Sequence, residues 1–181
     1  MKEELIIAGF GGQGVLSMGK ILAYGGIMQD QEVSWLPSYG PEMRGGTCNV
    51  SVVLSDNKIS SPILSKFDTA IILNQQSMDK FEERVKPGGL LIYDTNGITR
   101  HPKRKDITIC RLDAAEEAIN MGNAKAYNMV VLGAYLKMKP VVSMENVLKG
   151  LKKSLPPRHH DLIPMNEKAI TVGMNAVQKV Q

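Results

Sequence analysis

Two glycine-rich segments contain the residue types that could do chemistry in this chain. The first reads GFGGQG, and its residues Gly9, Gly11 and Gly14 fit the spacing G-x-G-x-x-G. Glycines at this spacing let the backbone turn tightly, and the N–H groups at the start of a following helix attract a phosphate or pyrophosphate. The same spacing also occurs where glycine only allows a tight turn and close packing. Gly12 and Gln13 are not required by this spacing, and the Gln13 amide can either contact a ligand or brace the loop.

A second glycine-rich segment contains the charged and phenolic side chains that the first one lacks. Residues 38–47 read SYGPEMRGGT, which places Tyr39, Glu42 and Arg44 between glycines and a proline. The segment follows a predicted strand, and the carboxyl ends of strands are where open α/β sheets bind ligands. Loops at such positions often carry functional polar groups. The alternative is a solvated turn in which Glu42 and Arg44 form an exposed ion pair with each other.

Hydrophobic patterning predicts the elements that position these two segments. Leu5 to Ala8 is a short apolar run typical of a strand buried on both faces, and Val15 to Met28 has apolar residues at helical spacing. The first segment therefore lies in a strand–turn–helix unit, the context that a phosphate-binding loop requires. Further strands are predicted at 32–36, which ends before Pro37, and at 48–54, 67–73, 90–93 and 107–112. Further helices are predicted at 75–85, 113–119, 126–138, 143–151 and, exposed to solvent, 165–180.

The alternation of strands and helices indicates the fold class. It predicts one α/β domain over residues 1–181, with a doubly wound, mostly parallel, Rossmann-like sheet and helices on both faces. The region 47–63 is hairpin-like, with a turn at Asp56–Asn57 before a further short strand at 59–63, and is the candidate for an antiparallel part of the sheet. Asp113 and Ser143 are predicted to cap the helices that follow them.

The composition argues against several classes of protein. The chain has 181 residues, a net charge of +4 and only 5% aromatic residues, which disfavours a nucleic-acid platform built on stacking aromatics. Two cysteines, Cys48 and Cys110, cannot supply the four ligands of a usual iron–sulfur cluster. The adjacent side chains of residues 159–161, His-His-Asp, are poorly placed to share one metal ion. With no signal peptide and no apolar stretch of ~20 residues, we expect a cytoplasmic protein without a membrane segment or a metal of its own.

A nicotinamide dinucleotide would need one more feature, an acidic residue at the end of the second strand to hold its ribose. Ser34, Trp35 and Leu36 occupy that place, and Glu32 lies at the opposite end of the strand. The sequence therefore supports an anion-binding loop more strongly than a nicotinamide site.

Taken in this order and spacing, the two segments resemble those of a known family. GFGGQG, followed about 25 residues later by SYGPEMRGGT, is similar to the gamma subunits of 2-oxoacid:ferredoxin oxidoreductases, which act on pyruvate, 2-oxoglutarate or 2-oxoisovalerate. The similarity extends to KPGGLLIYD at 86–94 and AYNMVVLGA at 126–134, and so over the whole chain. An equivalent domain occurs within pyruvate:ferredoxin and indolepyruvate oxidoreductases.

The resemblance implies a reaction and a division of labour. A 2-oxoacid would be oxidatively decarboxylated to an acyl-CoA, with ferredoxin as electron acceptor. Thiamine diphosphate, magnesium and the iron–sulfur clusters would lie on alpha, beta and ferredoxin-like delta partner subunits, so that the isolated chain is inactive. The residues implied to act at the reaction site are Tyr39, Glu42 and Arg44. The residues implied or available to bind coenzyme A are Gly9, Gly11, Gly12, Gln13, Gly14, Gly45, Gly46, Thr47 and Asn128.

Several alternatives stay open at this point. The chain could be a free-standing NAD(P)- or FAD-binding protein, or a non-catalytic assembly subunit whose glycine turn is only structural. Asn128 lies in an apolar helix and must find a partner if buried, either a ligand or a neighbouring loop. The basic run 99–105 could dock ferredoxin, a partner subunit or a phosphate of coenzyme A, or be a solvated loop. Neither the 2-oxoacid nor the number of partner chains follows from the sequence.

Overall fold

The computed structural model describes residues 1–39 and 47–181, which contain one mixed sheet with helices on both of its faces. The strands are β1 (Lys2–Phe10), β2 (Glu32–Tyr39), β3 (Thr47–Ser55), β4 (Phe67–Ile72), β5 (Val85–Asp94), β6 (Thr108–Leu112) and β7 (Gln178–Lys179). The α-helices are α1 (Val15–Met28), α2 (Gln75–Phe81), α3 (Ala114–Asn120), α4 (Tyr127–Met138), α5 (Met144–Ser154) and α6 (Ile163–Ala176). The predicted α/β class is confirmed.

The strand order is β2-β3-β1-β4-β5-β6-β7. β1, β4, β5 and β6 form a parallel centre, whereas β3 is antiparallel to both of its neighbours and β7 is antiparallel to β6. The sheet is thus more evenly mixed than predicted, with three parallel and three antiparallel pairings in the described residues. β3 takes the place beside β1 because Val50, Val52 and Leu54 are fully buried, while the half-exposed β2 lies at the edge.

Three predicted boundaries are wrong for reasons of tertiary context. β2 does not end before Pro37 but continues to Tyr39. β2 is an edge strand, and it tolerates the proline because the missing N–H costs little there. Residues 59–63 form no strand, and the antiparallel pairing expected of them is made by β2 and β3 instead. The last helix ends at Ala176, and Lys179 then pairs with Cys110 at the edge of β6.

The helices cover the two faces of the sheet unequally. Leu5 and Ile7 point into the larger core, which α1 and α4 form with α5 and α6 packed outside them. Ile6 and Ala8 point into a smaller core covered by α2. α4 is buried over most of its length, and α6 is not simply exposed as predicted, since Ile170 packs against α4. Among the described helices, none is long and apolar enough to cross a membrane.

Candidate functional site

The glycine-rich turn after β1 forms the floor of the candidate site. It connects β1 to α1, so the predicted strand–turn–helix arrangement is confirmed. Gly12 and Gly14 have φ values of 93° and 76°, in the left-handed region where glycine is favoured. Gly14 is the N-cap of α1 and has no side chain to cap it, so the first N–H groups of the helix remain available to a ligand. This arrangement fits a phosphate group.

The Gln13 side chain braces this turn. Its Oε1 accepts the Phe10 N–H at 2.6 Å, and its Nε2 donates to the Leu73 carbonyl at 3.3 Å. A Cβ on Gly9 would overlap Gln13 Oε1 and lie 2.9 Å from Leu73 Cβ, so glycine at this position makes room for the brace. The structure thus provides the bracing role that the sequence left open, while a contact between Gln13 and a ligand stays a prediction.

Asn128 is brought directly to the turn from the start of α4. Its half-buried side chain lies against Gly14, where an added Cβ would be 2.5 Å from Asn128 Nδ2 and 2.7 Å from its Cβ and Cγ. The amide therefore stands beside the N-terminus of α1 and within reach of a ligand bound there. Whether it contacts that ligand stays a prediction.

One end of the second glycine-rich segment lies beside the first, and its other end lies one strand further along the same edge of the sheet. β2 and β1 are both antiparallel to β3, so their carboxyl ends share one edge of the sheet. Thr47, which is exposed, pairs with Phe10 immediately before the glycine turn, and Tyr39 pairs with Cys48. The candidate residues between these ends lie outside the described residues, and their roles stay predictions: Glu42, Arg44, Gly45 and Gly46.

Asp94 is a residue of this edge that the sequence analysis missed. It ends β5 and is only 2% exposed. Its Oδ2 accepts the Tyr127 hydroxyl at 2.7 Å, and its Oδ1 accepts the Ala114 N–H at 3.1 Å. Burial raises the pKa of the Asp94 carboxyl above its usual value, and the hydrogen bond from Tyr127 partly opposes that rise. An acidic residue closing an apolar strand was the sequence signal that could have revealed it.

The same contacts correct one predicted helix cap. Asp94, rather than Asp113, satisfies the first N–H of α3, and the Asp113 carboxylate accepts the Thr95 hydroxyl instead. The exchange needs the two strand ends to be adjacent, which local sequence does not reveal. The predicted cap of α5 is confirmed, since Ser143 Oγ accepts the Asn146 N–H at 3.2 Å.

Ion pairs tie down much of the basic run 99–105. Arg100 binds Asp79 at 3.0 Å and the buried Glu82 at 2.9 Å, and Arg104 binds Asp106 at 2.6 Å. These contacts attach the run to the end of α2 and favour a structural role for its arginines. Within residues 1–39 and 47–181, no cluster of three or more His, Cys, Asp or Glu side chains could hold a metal ion.

The fold and site define an α/β domain that offers an uncapped helix N-terminus and two loop ends at one sheet edge. Residues 4–176 match the pyruvate ferredoxin/flavodoxin oxidoreductase family, and the chain belongs to that family.

Individual relatives agree with this assignment. The chain is 41% identical over 167 residues to ketoisovalerate oxidoreductase subunit VorA of Methanothermobacter thermautotrophicus. The match covers 92% of this chain and 35% of that protein. It thus spans about a third of the length of this relative. The keto/oxoacid ferredoxin oxidoreductase gamma subunit of Geobacter sulfurreducens is 28% identical, with a TM-score of 0.82 over 97% of this chain and 96% of that one.

A third likeness concerns the fold alone. The 2-oxoglutarate:ferredoxin oxidoreductase of Magnetococcus marinus, solved with 2-oxoglutarate, coenzyme A and succinyl-CoA bound, superposes with a TM-score of 0.86 at 22% identity. The match covers 96% of this chain and 30% of that chain.

Proposed function

We propose that this chain is the gamma-type subunit of an enzyme that oxidatively decarboxylates a 2-oxoacid to an acyl-CoA and passes the electrons to ferredoxin. The observation that carries the proposal is that the described ends of the second glycine-rich segment lie at the same sheet edge as the first, where Thr47 pairs with Phe10. Family membership supports the reaction class. The 2-oxoacid stays open, because the relatives are named for ketoisovalerate and for 2-oxoglutarate. Such an enzyme would act in the cytoplasm.

Coenzyme A is the ligand that we assign to the turn after β1. Its pyrophosphate would accept hydrogen bonds from the backbone N–H groups of Gly11, Gly12 and Gly14 at the start of α1, because the Gln13 N–H already donates to the Phe10 carbonyl at 3.2 Å. Space supports this assignment, since a Cβ placed on Gly12 would meet nothing within 4 Å. The Asn128 amide would bind the same ligand, and Tyr39, Glu42 and Arg44 would act at the adjoining reaction site.

The remaining cofactors are assigned to partner subunits. Cys48 lies in β3 and Cys110 in β6, with three strands between them, so these two thiols cannot share a cluster. Thiamine diphosphate with its magnesium would supply the stabilisation of the decarboxylated carbanion, and iron–sulfur clusters would carry single electrons. This chain would cover the active site and hold coenzyme A.

An apolar surface supports assembly with a partner. Ile27, Met28 and Trp35 are between 37% and 52% exposed at the free side of α1 and β2. Ile27 and Trp35 line a cavity of about 310 Å³ there together with Tyr24. We assign this surface to the polypeptide that the longer VorA relative carries beyond the matched domain. Trp35 is the single tryptophan of this chain, so a fluorinated tryptophan incorporated into this chain alone gives one fluorine NMR signal, which should shift when unlabelled partner subunits bind. An unchanged signal in the assembled complex would argue for another docking face.

The coenzyme A assignment is tested by replacing Gly12 with valine in the assembled complex. Blocking the cradle should raise the coenzyme A concentration needed for half-maximal rate by at least about tenfold, or ~1.4 kcal/mol. Gly88→Val is the matched control, because Gly88 also has a positive φ and open space around it but lies at the start of β5. An unchanged coenzyme A requirement in a correctly assembled Gly12→Val complex would contradict the assignment.

The rival functions predict different binding. A free-standing NAD(P) or FAD protein would bind NADH or the flavin rather than coenzyme A, and an assembly subunit would bind partner chains without affinity for coenzyme A. The strand order argues against the dinucleotide, because β3 separates β1 from β2 and moves the second strand's end away from the turn. Titration of the purified chain with NADH and with coenzyme A separates these cases. Dye reduction dependent on a 2-oxoacid by the purified chain, with thiamine diphosphate and magnesium added, would contradict its role as a subunit.

A further inference from the structure

We propose that Asp94 is a positioning residue for the glycine-turn site: through Tyr127 it holds the start of α4 so that Asn128 lies against Gly14. The identity of the ligand rests on the proposed function. The positioning itself concerns contacts within this chain and can be tested without that ligand.

The contacts of Asp94 explain why a carboxylate is buried at this edge. Its oxygens accept the hydroxyl of Tyr127 at 2.7 Å and the N–H groups of Ala114 at 3.1 Å and Asn96 at 3.4 Å. These donors belong to three different segments: the start of α4, the start of α3 and the loop after β5. A buried carboxylate is costly unless several donors form hydrogen bonds to it. Here the three hydrogen bonds that satisfy the Asp94 oxygens also hold the three segments together.

The first turn of α4 has no side-chain cap of its own, although Asn123 Oδ1 accepts the Lys125 N–H at 3.1 Å in the turn before it. α4 begins at Tyr127 after a short 3₁₀ turn over Ala124–Ala126, and Ala126 at the N-cap position has no side chain that could hold the helix. Burial and the nearby Asp94 raise the pKa of the Tyr127 hydroxyl, which therefore stays a proton donor. Asp94 thus holds the first side chain of the helix in place.

Asn128 is the next residue along α4, so the contact is passed directly to the site. Its Cβ and Cγ would lie 2.7 Å from a Cβ on Gly14, which shows how closely the first turn of α4 approaches the N-cap of α1. Loss of the Tyr127–Asp94 hydrogen bond would let this first turn shift or fray. The shift would move the Asn128 amide away from the anion cradle without removing any group that touches a ligand.

The same helix offers a matched control at its other end. Tyr135 also donates its hydroxyl to a buried carboxylate, Glu3 Oε1, at 3.3 Å. Glu3 lies near the start of β1, at the opposite edge of the sheet from the glycine turn. Tyr135→Phe and Tyr127→Phe therefore remove the same group from one helix, but only Tyr127 adjoins Asn128.

The first measurement is the coenzyme A requirement of the assembled complex. Tyr127→Phe should raise it by about threefold to tenfold, the size expected for one net hydrogen bond, with little change in kcat. Asp94→Asn should do the same, because an amide offers one acceptor atom where the carboxylate offers two. In an Asn128→Ala background, Tyr127→Phe should have no further effect on the requirement, since its action passes through Asn128. Tyr135→Phe should leave the requirement unchanged.

The second measurement does not involve the ligand. In the NMR spectrum of the purified full-length chain, Tyr127→Phe should shift or broaden the side-chain NH₂ signals of Asn128, and Tyr135→Phe should not. Unchanged Asn128 signals in Tyr127→Phe, or equal effects of Tyr127→Phe with and without Asn128, would overturn the proposal. If the signals shift while the Gly12→Val complex keeps its coenzyme A requirement, the positioning role stands and the assignment of the ligand fails.

Discussion

Replacing Gly14 with alanine tests whether the glycine turn is shaped around Asn128. At φ 76°, a left-handed conformation costs an L-residue about 1–2 kcal/mol. The new Cβ would also lie 2.7 Å from Asn128 Cβ, an atom attached to the α4 backbone that rotation of the side chain cannot move away. Overpacking of this kind costs about 1–3 kcal/mol. We therefore expect Gly14→Ala to lower the free energy of unfolding by about 2–5 kcal/mol.

Gly12→Ala provides the matched comparison within the same turn. Its φ of 93° imposes a similar backbone cost, but a Cβ there would meet nothing within 4 Å. Only the backbone cost of about 1–2 kcal/mol should then appear. The difference between the two variants isolates the contact with Asn128, for which we expect about 1–3 kcal/mol.

Urea unfolding of the purified chain measures both variants. The comparison is valid if the dependence of the unfolding free energy on urea concentration is the same in both, because the surface exposed on unfolding is then the same. If Gly14→Ala were as stable as Gly12→Ala, Asn128 would not be held against the turn, and the positioning role of Asp94 would lose its basis.

Three further predictions concern the core, the pH dependence of stability and the second loop. Gly133→Ala should destabilise the chain by about 3 kcal/mol or more, because the new Cβ would overlap the Ile170 carbonyl oxygen where α4 crosses α6. The better helix propensity of alanine is too small to offset this overlap, and an unchanged urea midpoint would contradict the packing. Burial raises the pKa of Glu3, so the folded state binds this proton more tightly than the unfolded state and wild-type stability should fall as pH rises from the usual glutamate pKa through the raised one. Thermal unfolding measured as a function of pH should show a smaller loss of stability for Glu3→Gln than for the wild type. An identical pH profile in the two proteins would refute the prediction. Arg44→Lys should lose substantial turnover while the complex still assembles, because a guanidinium binds a carboxylate or phosphate with two parallel hydrogen bonds and lysine cannot; turnover within about twofold of wild type would leave Arg44 a surface residue.

Local features of the sequence were sufficient to predict the turn at the centre of the site. The apolar run before Gly9, the glycine spacing and the helical repeat after Gly14 predict a strand–turn–helix unit, and the structure contains one. Each of these signals acts over a few residues, since left-handed backbone angles and helical periodicity are properties of short segments. The Ser143 cap was predictable for the same reason, because an N-cap hydrogen bond spans only three residues.

Contacts between distant segments were decided only by the tertiary structure. The apolar pattern of β3 suits a buried strand anywhere in the sheet, so its insertion between β1 and β2 could not be read from the pattern. Asp94 and Ala114 are 20 residues apart, and Asp94 replaces Asp113 as the cap of α3 only because β5 and β6 end side by side. Asn128 reaches Gly14 because the start of α4 packs against the start of α1. Such contacts depend on which strands pair and which helices cross, and hydrophobic periodicity, which determines the buried face of each element, does not specify its neighbour.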